Sequence, residues 1–295
     1  MRIIYDVLRD GLSAVETAHA QLARAQQQLS SGKRVSGAGD DPLAVQNAIG
    51  ERASIGAIDA YTKTNEAASA QLALADHVLN GISDKLTSVQ VAALSARGDH
   101  VQDSARSAAA ERIRSLRDAV LADFNTRYRG TYLFGGTRVD QAPYANVGGV
   151  WTYQGNSDVV RVDVDRGRQV SITFDGRQIA QGSDPTDLFT VLDELAAAVE
   201  TGDSDGIEAG MAAVERAFAR TQRAIGALGA DEQSIDEATF RLASMKRAAE
   251  TRRASLEDAD LVEAATRMSQ ADTAYRAALA AVSTAERQSL LDYLR

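Results

Sequence analysis

The chain has 295 residues; 44% are apolar but only 5% aromatic, and a charged fraction of 25% leaves a formal net charge of −9. That acidic balance argues against a nucleic-acid partner, and the absence of cysteine excludes disulfides and thiolate chemistry. The opening residues, MRIIYDVLRDGLSAVE, carry Arg2, Asp6, Arg9 and Asp10 with no apolar run, so no cleaved secretory signal is expected, and no window is apolar enough to predict a membrane span.

Much of the apolar content is alanine, which favours close-packed helices. The first predicted helix has a stripe at Leu8, Leu12, Val15, His19, Leu22, Gln26 and Leu29, alternating steps of four and three as a coiled-coil seam does. Two of its places are polar. The stretch LSSGKRVSGAGDDPLAV then turns the chain: Gly32 ends one helix, while Asp41 caps and Pro42 begins the next. A second periodic run follows at Leu72, Ala75, Leu79, Ile82, Leu86, Val89 and Ala93, and Arg97-Gly98-Asp99 breaks it. Another helix carries Ala109, Ile113, Leu116, Val120 and Phe124 on one face.

The pattern changes near Gly130. VVRVDVDRGRQVSITF alternates, with Val160, Val162 and Val164 on one side of a turn and Val170, Ile172 and Phe174 on the other, which predicts a hairpin with one buried face. Asp175-Gly176 predicts a further tight turn. Helices resume after Ser183-Asp184-Pro185, with breaks expected at TGDSDG and GALGAD, and a long helix from about Glu232 nearly to Arg295. Its last part carries a second seam: Leu261, Ala265, Met268, Asp272, Tyr275, Leu279, Val282 and Glu286.

The fold class is therefore mainly α with a small β insertion. The expected arrangement is an elongated rod: a terminal helical coiled-coil domain from residues 1–40 and 255–295, a helical bundle from 41–130 and 184–254, and a β-rich tip at 131–183. An antiparallel terminal pair would bring His19 close to Asp272 or Arg276.

No constellation for catalysis emerges. His19, His77 and His100 lie in separate segments without metal-ligand spacing. Asp163 and Asp165 lack the glycine and terminal glutamate of a calcium loop and read as solvated hairpin residues; Asp203 and Asp205 read as a loop and helix start. The Gly-Lys pair at 32–33 also fails as a phosphate loop, because Gln27 stands where the first glycine belongs and Arg34 where Ser or Thr belongs. No enzyme, cofactor or metal is expected.

LSSGKRVSGAGDDPLAV resembles the junction after the first helix in the bacterial flagellin family, where Ser-Gly-x-Arg/Lys leads to Asp-Asp-Pro. SLEDADLVEAATRMSQADTAYRAAL is similar to the terminal segment of the same proteins, and TYLFGGTRVDQAPY with SLLDYLR is closer to the hook-associated branch than to filament flagellins. The resemblance covers roughly residues 1–155 and 230–295. It implies a structural subunit at the hook–filament junction of the extracellular flagellum, exported unfolded by the flagellar type III apparatus without a cleaved signal. It also implies as partners a ring of its own copies, the hook-side hook-associated protein, flagellin and an export chaperone on the C-terminal helix. Leu8, Leu12, Val15, Leu22 and Leu29 would face Met268, Tyr275, Leu279, Val282 and Leu290, or neighbouring subunits. Ser31, Gly32, Arg34, Asp40, Asp41 and Pro42 would form a spoke, with the glycine-rich run from Val35 to Gly39 departing from the usual pattern. A short filament-forming flagellin and, in a different class, a helical binding or signalling module stand as alternatives.

Overall fold

A computed structural model describes the backbone of residues 2–293 apart from 38, 99 and 149, and the side chains of residues 9–284 apart from the same three. Long helices enter first: α1 (Arg2–Ser31), α2 (Pro42–Ser95) and α3 (Asp103–Phe124). Three antiparallel hairpins follow, β1 (Arg127–Tyr128) with β2 (Thr131–Tyr132), β3 (Tyr144–Val147) with β4 (Val150–Tyr153), and β5 (Arg161–Asp165) with β6 (Arg168–Ser171). The short α4 (Gly176–Ala180) leads to α5 (Leu188–Thr201), α6 (Ser204–Glu257) and α7 (Leu261–Tyr293). Among the described residues no helix is long and apolar enough to cross a membrane.

The chain divides into two compact units, one of residues 1–58 with 244–295 and one of residues 59–243. The second unit has one continuous core. All seven places of the run Leu72, Ala75, Leu79, Ile82, Leu86, Val89 and Ala93 are fully buried, as the four-three spacing predicts. Ile113, Val120 and Phe124 of α3 and Phe189, Leu192 and Leu195 of α5 close over them. Leu133, Phe134, Tyr144, Val164 and Val170 of the β segment belong to this same core. Phe124 is its hub, with edge-on contacts to Phe134, Tyr144 and Phe189 at 5.5–5.9 Å between ring centres.

The β segment is tied to the helices by hydrogen bonds that satisfy buried backbone. The Asn125 amide, at the end of α3, donates to the Tyr144 carbonyl and accepts from its N–H, both at 3.0 Å, taking the place of a neighbouring strand. Gly135 and Gly136 of TYLFGG are required by contact: an added Cβ would lie 2.5 Å from the Arg138 carbonyl oxygen in one case and 2.3 Å from that of Asn156 in the other. The expected hairpin forms at β5–β6, turning at Gly167 (φ +81°) with a bulge between Asp163 and Asp165. Asp165 is held by Arg241 at 2.7 Å.

Four expected boundaries shift. Asp175 does not make a tight turn; its carboxylate caps α4, accepting from the Arg177 and Gln178 N–H groups. Helix α5 is capped by Asp187 rather than started at Asp184-Pro185, because Asp184 is engaged by Arg216 and Arg220. GALGAD does not interrupt α6. Gly226 and Gly229 cost about 1 kcal/mol each as helix residues, and burial of Leu228 within the stretch and of Ile235 one turn after it outweighs them. The long C-terminal helix is instead divided at Asp258–Asp260, where Asp260 caps α7 through the Val262 and Glu263 N–H groups.

Candidate functional site

The chain's two ends meet within the first unit. α1 and α7 pack along each other, antiparallel, with the His19 ring 5.5 Å from that of Tyr275. His19 thus lies at the expected depth, although Asp272 and Arg276 pair with each other at 2.9 Å.

The face that joins the helices shares only part of the predicted seam. On α1 it consists of Gly11, Val15, Ala18, Leu22, Ala25 and Leu29; on α7 it consists of Ala264, Met268, Ala271, Tyr275, Ala278 and Val282. Each helix alternates a small residue with a larger one in four-three steps, so that small residues recur every seven. Ala18, Ala25, Ala264 and Ala271 are the most buried of them, at 3–8% exposure. Small side chains let two backbones approach closely, and a Cβ on Gly11 would stand 2.9 Å from a Val282 methyl. Val15, Leu22, Leu29, Met268, Tyr275 and Val282 therefore lie on the joining face, while Leu12, His19 and Gln26 are turned out, as are Leu261, Ala265 and Leu279. The predicted seam put leucine ahead of alanine, but the closest approach is made where the side chain is smallest. The side chains of Leu8, Glu286 and Leu290 lie outside the described residues.

A compact junction adjoins this pair. Gly32, at φ +65°, ends α1 with its N–H on the Gln28 carbonyl, and Ser31 Oγ bonds the Gln27 carbonyl. The chain then runs beside the α6–α7 break. Arg34 N–H donates to the Glu257 carbonyl at 2.7 Å, and Ala259 N–H to that of Gly32 at 2.9 Å. The Arg34 guanidinium reaches the Leu256 carbonyl at 2.8 Å and the Asp41 carboxylate at 3.5 Å. Glycine content does not leave the segment loose. Val35 is buried, and the Asp40 carboxylate accepts from Ser36 N–H, Ser36 Oγ and Gly37 N–H, which hold its pKa below the ordinary aspartate value. Asp41 Oδ1 accepts from Ala44 N–H, capping α2 just before exposed Pro42.

At the centre lies Glu257, 5% exposed, paired with Arg52 at 2.6 Å and Lys33 at 3.3 Å. Burial pushes its carboxyl up, but Arg52 and then Lys33 outweigh burial and hold it below the usual glutamate value. Lys33 is raised in turn, chiefly by its hydrogen bond to Asp258. Nothing in the sequence around Glu257 distinguishes it from other helical glutamates; only the fold brings Lys33 and Arg52 to it. Seven-residue recurrence of Gly and Ala, by contrast, was readable as a signal. Among the described residues no three His, Cys, Asp or Glu side chains are grouped to hold a metal. The arrangement is a close-packed helical pair beside a junction held by ion pairs and backbone hydrogen bonds.

Residues 11–138 match the family model described as the bacterial flagellin N-terminal helical region, and residues 211–294 match the bacterial flagellin C-terminal helical region. Flagellar hook-associated protein 3 of Escherichia coli (strain K12) is 26% identical over 230 residues, spanning 74% of this chain and 72% of that one. A solved chain from Vibrio parahaemolyticus, provisionally named a flagellar hook-associated protein, superposes with a TM-score of 0.71 at 22% identity, over 74% of this chain and 100% of that one. The flagellar junction protein FlgL from Legionella pneumophila gives 0.62 at 12% identity, over 72% and 100%.

Proposed function

Since the chain belongs to the bacterial flagellin family, we propose that it is a hook-associated structural subunit of the flagellum, seated at the junction between hook and filament, and not an enzyme. The relatives' names and the family's two helical regions, with the α1–α7 pair, support this reading. One observation carries it: a two-helix layer leaves Leu12, Leu261 and Leu279 at 43–55% exposure, an apolar surface that a single chain does not cover. Leu12 and Leu279 then contact neighbouring copies, and so do Leu8 and Leu290. Val15, Leu22, Leu29, Met268, Tyr275 and Val282 hold the pair together. Ser31, Gly32, Arg34, Asp40, Asp41 and Pro42 form the spoke between the terminal pair and the helical bundle.

In this reading the chain is exported unfolded by the flagellar type III apparatus, with a chaperone on its C-terminal helix. It works outside the cell between the hook-side hook-associated protein and flagellin. Cells lacking the chain are expected to carry hooks without filaments and to release filament protein into the medium. Bare hooks with no filament protein in the medium would make the chain the filament subunit instead; normal filaments would overturn both readings.

A further inference from the structure

Two solvent-facing apolar features lie in the second unit, and among the described residues of that unit neither is covered. One is the tip of the β3–β4 hairpin. Val147 and Val150 stand opposite each other across a turn containing Gly148 (φ +65°), and they are 57% and 56% exposed. Residues 141–157 contain no charged side chain, in a chain that is 25% charged. Hairpin tips ordinarily expose polar residues, so two bare valines there need a reason.

The other is an open groove of about 640 Å³ between α2 and α6. Its apolar walls are Val91 and Leu94 on one side and Met211, Ala212 and Phe218 on the other, with Thr87, Gln90 and Glu215 at their edges, and Val91 is 63% and Leu94 58% exposed. The end of α2 is uncharged from Leu86 to Ser95, about three helical turns, while Glu215 stands on the α6 side and Arg97 and Glu208 pair across one end of the groove.

The hairpin does not reach the groove of its own chain. Asn125 pins the hairpin to the C-terminal end of α3, whereas Arg106, near its N-terminal end, bonds the Gly98 carbonyl just beyond the groove. A helix of 22 residues spans about 33 Å. The knob therefore projects near one end of α3 and the groove opens near the other.

We propose that the Val147–Val150 tip of one copy inserts between Val91, Leu94, Met211 and Phe218 of the next. Such a contact joins unlike surfaces, and unlike surfaces on identical chains build rings or helical arrays rather than two-fold dimers. It needs copies to associate, as the proposed function does, but it is made by residues of the second unit alone.

The chain's lack of cysteine makes the test direct. Full-length chains carrying Val150→Cys and Leu94→Cys are mixed at high concentration and oxidised, beside Val150→Cys mixed with Glu237→Cys as the reference pair, and Leu12→Cys with Leu279→Cys for the terminal helices. Mixed disulfide between Val150→Cys and Leu94→Cys should form at least tenfold faster than in the reference. A rate equal to the reference, with Leu12→Cys and Leu279→Cys still joining, overturns the knob and groove but leaves self-assembly standing. Failure of both pairs overturns both. Faster trapping of Leu94→Cys by Leu279→Cys than by Val150→Cys would put a terminal helix in the groove and overturn this contact.

Discussion

Glu257 ties three segments together: its backbone carbonyl takes the Arg34 N–H while its carboxylate takes Arg52 and Lys33. Because its folded pKa is depressed, the stabilisation is fully present above the ~4.3 of a free glutamate and is lost as pH falls through the lower folded value. Amide exchange at Arg34, Val35 and Ala259 should therefore accelerate below about pH 4 beyond what intrinsic exchange chemistry dictates. Glu257→Gln should produce that loosening at pH 7, by about 1–2 kcal/mol given that Arg52 is largely exposed, and should remove the acid dependence. An unchanged pH profile in the variant would show that the carboxylate is not the fastener.

At the scale of elements, the α1–α7 interface rests on side chains chosen for what they lack. Ala18→Leu should force the helices apart at a cost of about 1–3 kcal/mol, seen as faster exchange over residues 12–29 in the assembled protein. Ala20→Leu, on the exposed side of the same turn, should leave it unchanged. This interface also shows where reading from sequence succeeds and fails. The four-three period was legible, and in α2 it identified seven buried residues because leucine, isoleucine and valine dominate one face. In α1 the same period fits two adjacent faces, one with Leu12, His19 and Gln26 and one with Gly11, Ala18 and Ala25. Residue size alone favours the wrong one, since a pair of helices with no third partner gains most by coming close. The cap at Asp41 was local and therefore readable. The clamp on Glu257 joins residues more than two hundred positions apart and was not.

For the whole molecule, the division of burial is uneven. Nearly all large, fully buried side chains lie in the second unit, around Phe124, Phe134 and Phe189, whereas the first unit is sealed mainly by alanines and ion pairs. Phe124→Ala should cost about 3–5 kcal/mol and lower the main thermal transition, while exchange at Arg34 and Ala259 stays as it was. Loss of protection at both places would mean that the units melt as one. The pairing of α1 with α7 has a further consequence, for timing. Partners such as His19 and Tyr275 are separated by roughly 250 residues of intervening chain, so their meeting carries a large loop-closure delay. Whichever end of the polypeptide appears first stays single until its counterpart arrives, and the last step of maturation is the one that joins beginning to end.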